Sequence, residues 1–88
     1  MKARALLAWN LRRLRAAKGI SQERLAADTG IDRAYVSEIE RELGNATIDV
    51  LDRLAAELEV DIGDFFAKPV AGAKRPKPLP KGRRPSGR

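Results

Sequence analysis

The stretch from Gln22 to Arg41, QERLAADTGIDRAYVSEIER, leaves little freedom in how it folds. Ser21 is a good N-cap, and Glu23 lies in the first turn after it, where the helix dipole favours a carboxylate. Leu25, Ala26 and Thr29 then continue one face of a short helix as far as Gly30. Asp32 is a second N-cap, opening a helix whose inward residues are Val36 and Ile39, with Tyr35 at its margin. Two short helices crossing at roughly 90–120° over a turn of three or four residues bring their backbones close, which demands a small residue in the first of them. Ala26 meets that demand, and Gly30 supplies a positive φ for the turn without a Cβ penalty. Ile31, Val36 and Ile39 are placed to plug the angle between the helices. Each feature is common alone; all of them within one such stretch specify a helix, a tight turn and a helix.

The flanking sequence carries the same periodicity. Leu7, Leu11 and Leu14 form one stripe on a helix running from about Ala3 to Ala17, which Gly19 ends. Trp9 lies off that stripe, either half covered by the chain ends or free to anchor a partner. Thr47 with Asp49 opens a fourth helix bearing Ile48, Leu51, Leu54, Ala55 and Leu58, after a frayed exit of the third near Glu42 to Gly44. Asp61 with Asp64 opens a short fifth helix with Ile62, Phe65 and Phe66, stopped by Pro69. No alternating apolar-polar run suggests a strand. The expected fold is all-α, with a folded part at residues 3–67. All five prolines lie beyond it, where the only sizeable apolar side chains are Val70 and Leu79, so residues 68–88 are expected to form a flexible basic Pro-rich tail.

Length and charge narrow the function. Eighty-eight residues suffice for one small domain. Cys and His are both absent, which removes thiolate and imidazole chemistry and the usual zinc sites. Only dispersed carboxylates remain, so no enzyme and no cofactor are expected. No apolar run approaches the roughly 18 residues of a membrane span, nor does the start resemble a signal peptide, which points to a cytoplasmic protein without membrane contact. Residues 1–41 carry nine Lys/Arg against five Asp/Glu, residues 42–67 one against seven, and residues 68–88 eight against none. A nucleic-acid partner therefore has to be met by locally placed arginines, with the tail adding sequence-independent attraction to phosphates or merely solubility.

Leu11, Leu14 and Arg15, then Ser21-Gln22, Leu25-Ala26, Gly30, Val36-Ser37, Ile39-Glu40-Arg41, Asn45 and Thr47, and finally Leu51, Leu54, Ala55 and Leu58 follow one pattern. Over residues 6–67 the chain resembles the repressor/Cro class of helix-turn-helix DNA-binding proteins, the XRE family. The resemblance implies a compact five-helix bundle with a central helix-turn-helix. It also implies that Arg15 and Glu40 form an ion pair linking helices 1 and 3. Two positions depart from the family pattern: Glu42 stands where Gly often follows the Glu-Arg pair, and Asn45-Ala46-Thr47 replaces the frequent Asn-Pro-Ser/Thr.

At about 100° per residue, Arg33, Ala34, Ser37, Glu38 and Arg41 share an arc of about 140° on helix 3, opposite Val36 and Ile39. In a major groove Arg33 suits a bidentate contact to guanine, Ala34 a thymine methyl, Ser37 either kind of base edge, and Glu38 the cytosine amino group. The resemblance makes the same four residues the usual base-reading set. It also has Gln22, with the N-terminus of helix 2, gripping a phosphate, the anion site that free N–H groups create. Arg15, Arg41, Asn45 and Thr47 complete the expected phosphate contacts. Each has a plainer rival: Arg33 as a solvated arginine, Gln22 as an ordinary helix former, and Glu38 as a carboxylate that phosphates repel unless cytosine or Arg41 satisfies it.

The expected function is that of a sequence-specific, double-stranded DNA-binding transcriptional regulator, a homodimer on a palindromic operator that acts by blocking or touching RNA polymerase. Helix 5, with Phe65 and Phe66, is the expected dimer surface. A restriction-modification controller and a phage Cro-like repressor are the narrower readings. The rival from another class is a protein-interaction or antitoxin module that keeps the helix-turn-helix without reading DNA.

Overall fold

The computed structural model describes residues 1–69, so the expected tail lies outside the described residues from residue 70 onward. Four α-helices, α1 (Ala3–Lys18), α2 (Gln22–Thr29), α3 (Arg33–Glu40) and α4 (Ile48–Leu58), are followed by a 3-10 helix at Ile62–Phe66. The fold is all-α, as the sequence predicts, except that its fifth element is a single tight 3-10 segment rather than an α-helix.

Capping residues set most of the boundaries. Gly19 turns left-handed at φ 69° and closes α1 by donating to the Ala16 carbonyl at 3.0 Å. The Ser21 hydroxyl accepts from the Arg24 N–H at 3.0 Å, the Asp32 carboxylate from Ala34 at 3.1 Å, and the Thr47 hydroxyl from Val50 at 3.1 Å. Each satisfies one of the N–H groups that a helix start leaves unpaired. Gly30, at φ 75°, makes the turn between α2 and α3.

The helices enclose one core. Leu7 and Leu11 of α1 meet Leu25 and Ala26 of α2, Val36 and Ile39 of α3, and Leu51, Leu54, Ala55 and Leu58 of α4, with Ile31 and Phe65 closing the two ends. Leu14 packs against this core only in part. Ile48 departs from expectation: it is 68% exposed. At about 100° per residue it sits about 70° from the centre of the arc that the four buried residues of α4 define, and it occupies the first helical turn. Phe65 and Phe66 also part company, because neighbours in a 3-10 helix point about 120° apart. Phe65 is fully buried and Phe66 is 38% exposed, so Phe65 cannot serve as the expected dimer surface.

A polar side chain that the sequence reading passed over is buried within this core. Asn10 is 1% exposed. Its amide nitrogen lies 2.9 Å from the Leu6 carbonyl, 3.0 Å from that of Phe65 and 2.8 Å from that of Ala67, and its oxygen accepts from Arg13. It ties the middle of α1 to the end of the 3-10 helix while leaving no buried amide unpaired.

The exit of α3 is irregular. The Glu38 carbonyl accepts from both Leu43, at 2.9 Å, and Gly44, at 3.3 Å, and the intervening Glu42 takes a left-handed φ of 64°. A side chain in that conformation costs about 1–2 kcal/mol, of which glycine's greater unfolded-state freedom returns about half. Glu42→Gly is therefore expected to raise stability by about 0.5–1 kcal/mol, visible in thermal unfolding as a melting temperature several degrees higher. A lower melting temperature would mean that the Glu42 side chain contributes more than its backbone strain costs.

Candidate nucleic-acid interface

Helices α2 and α3 cross where Ala26, 6% exposed, allows close approach, and Ile31 fills the angle beneath the turn. Burial of Val36 and Ile39 fixes which side of α3 faces the core. By helical geometry the opposite side looks outward. Arg33, Ala34 and Glu38 are exposed there and Ser37 is half-buried, so the four expected base readers share an uncovered face. Arg33 directs its Nε towards Glu23 of α2, 3.5 Å from the carboxylate oxygen, with both side chains more than half exposed. Such a pair contributes little to stability, and an acceptor on DNA can compete for the guanidinium. Arg41, at the end of α3, is also exposed.

Behind this face, Glu40 gathers three neighbouring elements. Its carboxylate accepts a two-pronged bond from Arg15, Nε to Oε2 at 2.7 Å and Nη2 to Oε1 at 2.8 Å, confirming the ion pair between α1 and α3. Gln22, the first residue of α2, donates to the same carboxylate at 3.0 Å, and Arg12 donates to the Glu40 carbonyl at 2.6 Å. The carboxylate is 3% exposed as a residue and is matched by an opposing charge and further donors, the condition under which a buried ion can persist. Helix α3 is thereby held to α1 and to the start of α2 at its own C-terminal end.

This arrangement redistributes the expected phosphate contacts. Arg15 is only 7% exposed, and its remaining Nη1 donates to the Ile20 carbonyl at 3.0 Å. It is a structural residue behind the interface rather than a group on it. Gln22 is half-buried with one amide hydrogen directed to Glu40, which leaves the second hydrogen to donate elsewhere, while the first-turn N–H of Arg24 is already bonded to the Ser21 cap. Asn45 and Thr47 are exposed on the loop between α3 and α4, where the Thr47 hydroxyl accepts within its own cap and keeps its hydrogen to donate.

Three residues make contacts that the sequence alone does not predict. Besides Arg15, both Arg12 and Gln22 converge on Glu40. Tyr35 was placed at the helix margin, and its hydroxyl proves to donate to the Asn45 carbonyl at 2.8 Å. Arg4, at the start of α1, donates to the Gly44 carbonyl at 3.2 Å and to the Asn45 side chain. Only the last two reach across the sequence to hold the loop after α3, and no spacing rule connects residues so far apart.

Residues 11–65 match the family model described as helix-turn-helix, HTH_3. That span is more than half of the chain and includes both α2 and α3. The protein belongs to this helix-turn-helix family, the XRE type. A "hypothetical transcription factor" of Neisseria meningitidis serogroup B is 47% identical over 57 residues, which are 65% of this chain and 54% of the relative; the chain thus spans about half of that protein's length. The crystal structure of the Neisseria hypothetical transcription factor superposes with a TM-score of 0.74 at 41% identity, covering 77% of this chain and 78% of that one. Control protein C.SmaI of Serratia marcescens is 36% identical over 68 residues, 77% of this chain and 81% of the relative. The restriction-modification controller protein C.AhdI of Aeromonas hydrophila superposes with a TM-score of 0.69 at 38% identity, covering 72% of this chain and 96% of that one. Another relative, 40% identical over 68% of this chain, is described as an uncharacterized HTH-type transcriptional regulator of Sinorhizobium fredii. Among the described residues no helix is long and apolar enough to cross a membrane.

Proposed function

We propose that this protein is a sequence-specific transcription regulator that binds double-stranded DNA as a homodimer on a two-fold related operator. The observation that carries the reading is the outer face of α3. Arg33, Ala34 and Glu38 stand exposed, with Ser37 half-buried among them, on a helix whose other side is locked into the core, a rigid edge of the width a major groove accepts. Arg41, Asn45, Thr47, the second amide hydrogen of Gln22 and the N–H groups opening α2 flank that edge as donors to phosphate oxygens.

A single small domain makes few contacts, and pairing doubles them, with half-sites about one helical turn apart. Leu43 and Ile48, 64% and 68% exposed, together with Phe66 give this chain apolar surface for a second copy, in place of the buried Phe65. Within the class, similarity to C.SmaI and C.AhdI along most of their length favours the role of a restriction-modification controller. Occupancy of the operator then blocks RNA polymerase or brings it into contact.

Arg33→Ala tests the reading face. It is expected to cost about 1–3 kcal/mol of discrimination at a single base pair of each half-site and to leave the other positions unaffected. Competition binding against a panel of single-base-pair operator variants measures this directly. Equal losses at every position would make Arg33 a phosphate contact and not a base reader.

A further inference from the structure

We propose that Arg4 is a positioning residue that turns the Asn45 side chain so that its amide hydrogens, and not its oxygen, face a DNA phosphodiester. The inference rests on the DNA-binding reading above and adds to it a determinant at the far end of the first helix.

The loop at residues 41–47 is held from two sides. Arg4 of α1 donates through Nε to the Gly44 carbonyl at 3.2 Å and through Nη2 to the Asn45 Oδ1, while the Tyr35 hydroxyl of α3 donates to the Asn45 carbonyl at 2.8 Å. The main chain at Gly44–Asn45 is thus fixed to two helices. The remaining freedom of Asn45 is rotation of its side-chain amide. That group is planar, with an acceptor on one side and a two-hydrogen donor on the other. A phosphate only accepts, so an Asn45 with its oxygen outward presents acceptor to acceptor. By engaging the oxygen, the guanidinium of Arg4 resolves the choice and leaves the NH2 group free to donate. Both side chains are exposed, so the arrangement is open to a ligand. A fork with several donors in one plane is suited to bridge a main-chain carbonyl and a side-chain oxygen on adjacent residues, which a lysine ammonium does less well.

The test is a double-mutant cycle with the full chain and an operator duplex recovered by selection from random DNA. Arg4→Ala and Asn45→Ala are each expected to weaken binding about three- to tenfold, evenly across base-pair variants, with the double variant no weaker than either single one. Arg4→Lys, which keeps the charge, should recover only part of the loss. If Arg4→Ala remains as costly in the Asn45→Ala background, or if Arg4→Lys binds as the unaltered protein does, Arg4 acts through its own charge on the phosphates and the positioning role is overturned. A second readout needs no DNA: the Asn45 side-chain amide resonances should shift in Arg4→Ala, and unmoved resonances would sink the proposal while leaving base reading by Arg33 intact. Conversely, shifted amide resonances in a protein that binds all duplexes alike would place the failure in the DNA-reading function instead.

Discussion

Glu40→Ala is expected to lower the unfolding free energy by about 3–5 kcal/mol, a large share of what the protein has. The substitution strands the Arg15 guanidinium at a site that is 7% exposed and removes the acceptor for Gln22. Breaking a buried pair in this way costs about 3–5 kcal/mol, because the remaining charge has no counter-ion and little access to water. A domain of this size has about 3–10 kcal/mol of stability in all, at about 0.05–0.15 kcal/mol per residue. Urea unfolding followed by circular dichroism gives the value. Arg15→Met combined with Glu40→Leu should recover most of the loss, since exchanging both ions for apolar groups of similar volume is near neutral. A Glu40→Ala protein within about 1 kcal/mol of the original would mean that Arg15 reaches water and that Glu40 does not hold α3 in place.

Phe65→Ala should cost about as much by a different route, about 3–5 kcal/mol, through lost burial and the cavity left behind. Phe65 is the largest of the fully buried side chains, and it closes the core from the 3-10 helix. Asn10 ties that same segment to α1 through the Phe65 and Ala67 carbonyls, so the neighbouring backbone resists collapse into the void. Phe66→Ala serves as the internal comparison. At 38% exposed it should cost under half as much, and equal losses for the two would contradict the burial seen here.

The contrast between these phenylalanines shows what was legible from sequence. Helix starts were readable because Ser21, Asp32 and Thr47 cap locally, each bonding an N–H two or three residues on. The turn was readable because Gly30 and Ala26 answer steric demands that few other residues meet. Which side of an element docks was readable for α3, whose apolar anchors lie opposite its polar arc, but not for the ends of elements. Ile48 lies just beyond the buried arc of α4 and in its first turn, and Phe65 and Phe66 compete for one core position. Asn10 offered a signal that went unused, since it falls between Leu7 and Leu14 on the same inward stripe, where an amide needs buried partners. The convergence of Arg12, Arg15 and Gln22 on Glu40, and the reach of Arg4 to Asn45, are tertiary facts. They depend on how helices far apart in sequence are laid together, which no local periodicity encodes.

The outer face of α3 proposed to read bases was legible from the same local geometry, since Val36 and Ile39 are buried opposite it. Arg33 pairs weakly with exposed Glu23, which leaves its guanidinium open to another acceptor, and Arg41, Asn45 and Thr47 are exposed as well. The one expected contact that moved inward, Arg15, did so because Glu40 offers it a bidentate partner away from water.

Selection of bound fragments from random duplex DNA, at a salt concentration that suppresses nonspecific binding, tests the central claim most directly. A two-fold symmetric consensus with half-sites about one helical turn apart is the expected result. Recovery of sequences with no consensus, at the frequencies of the starting pool, would contradict it.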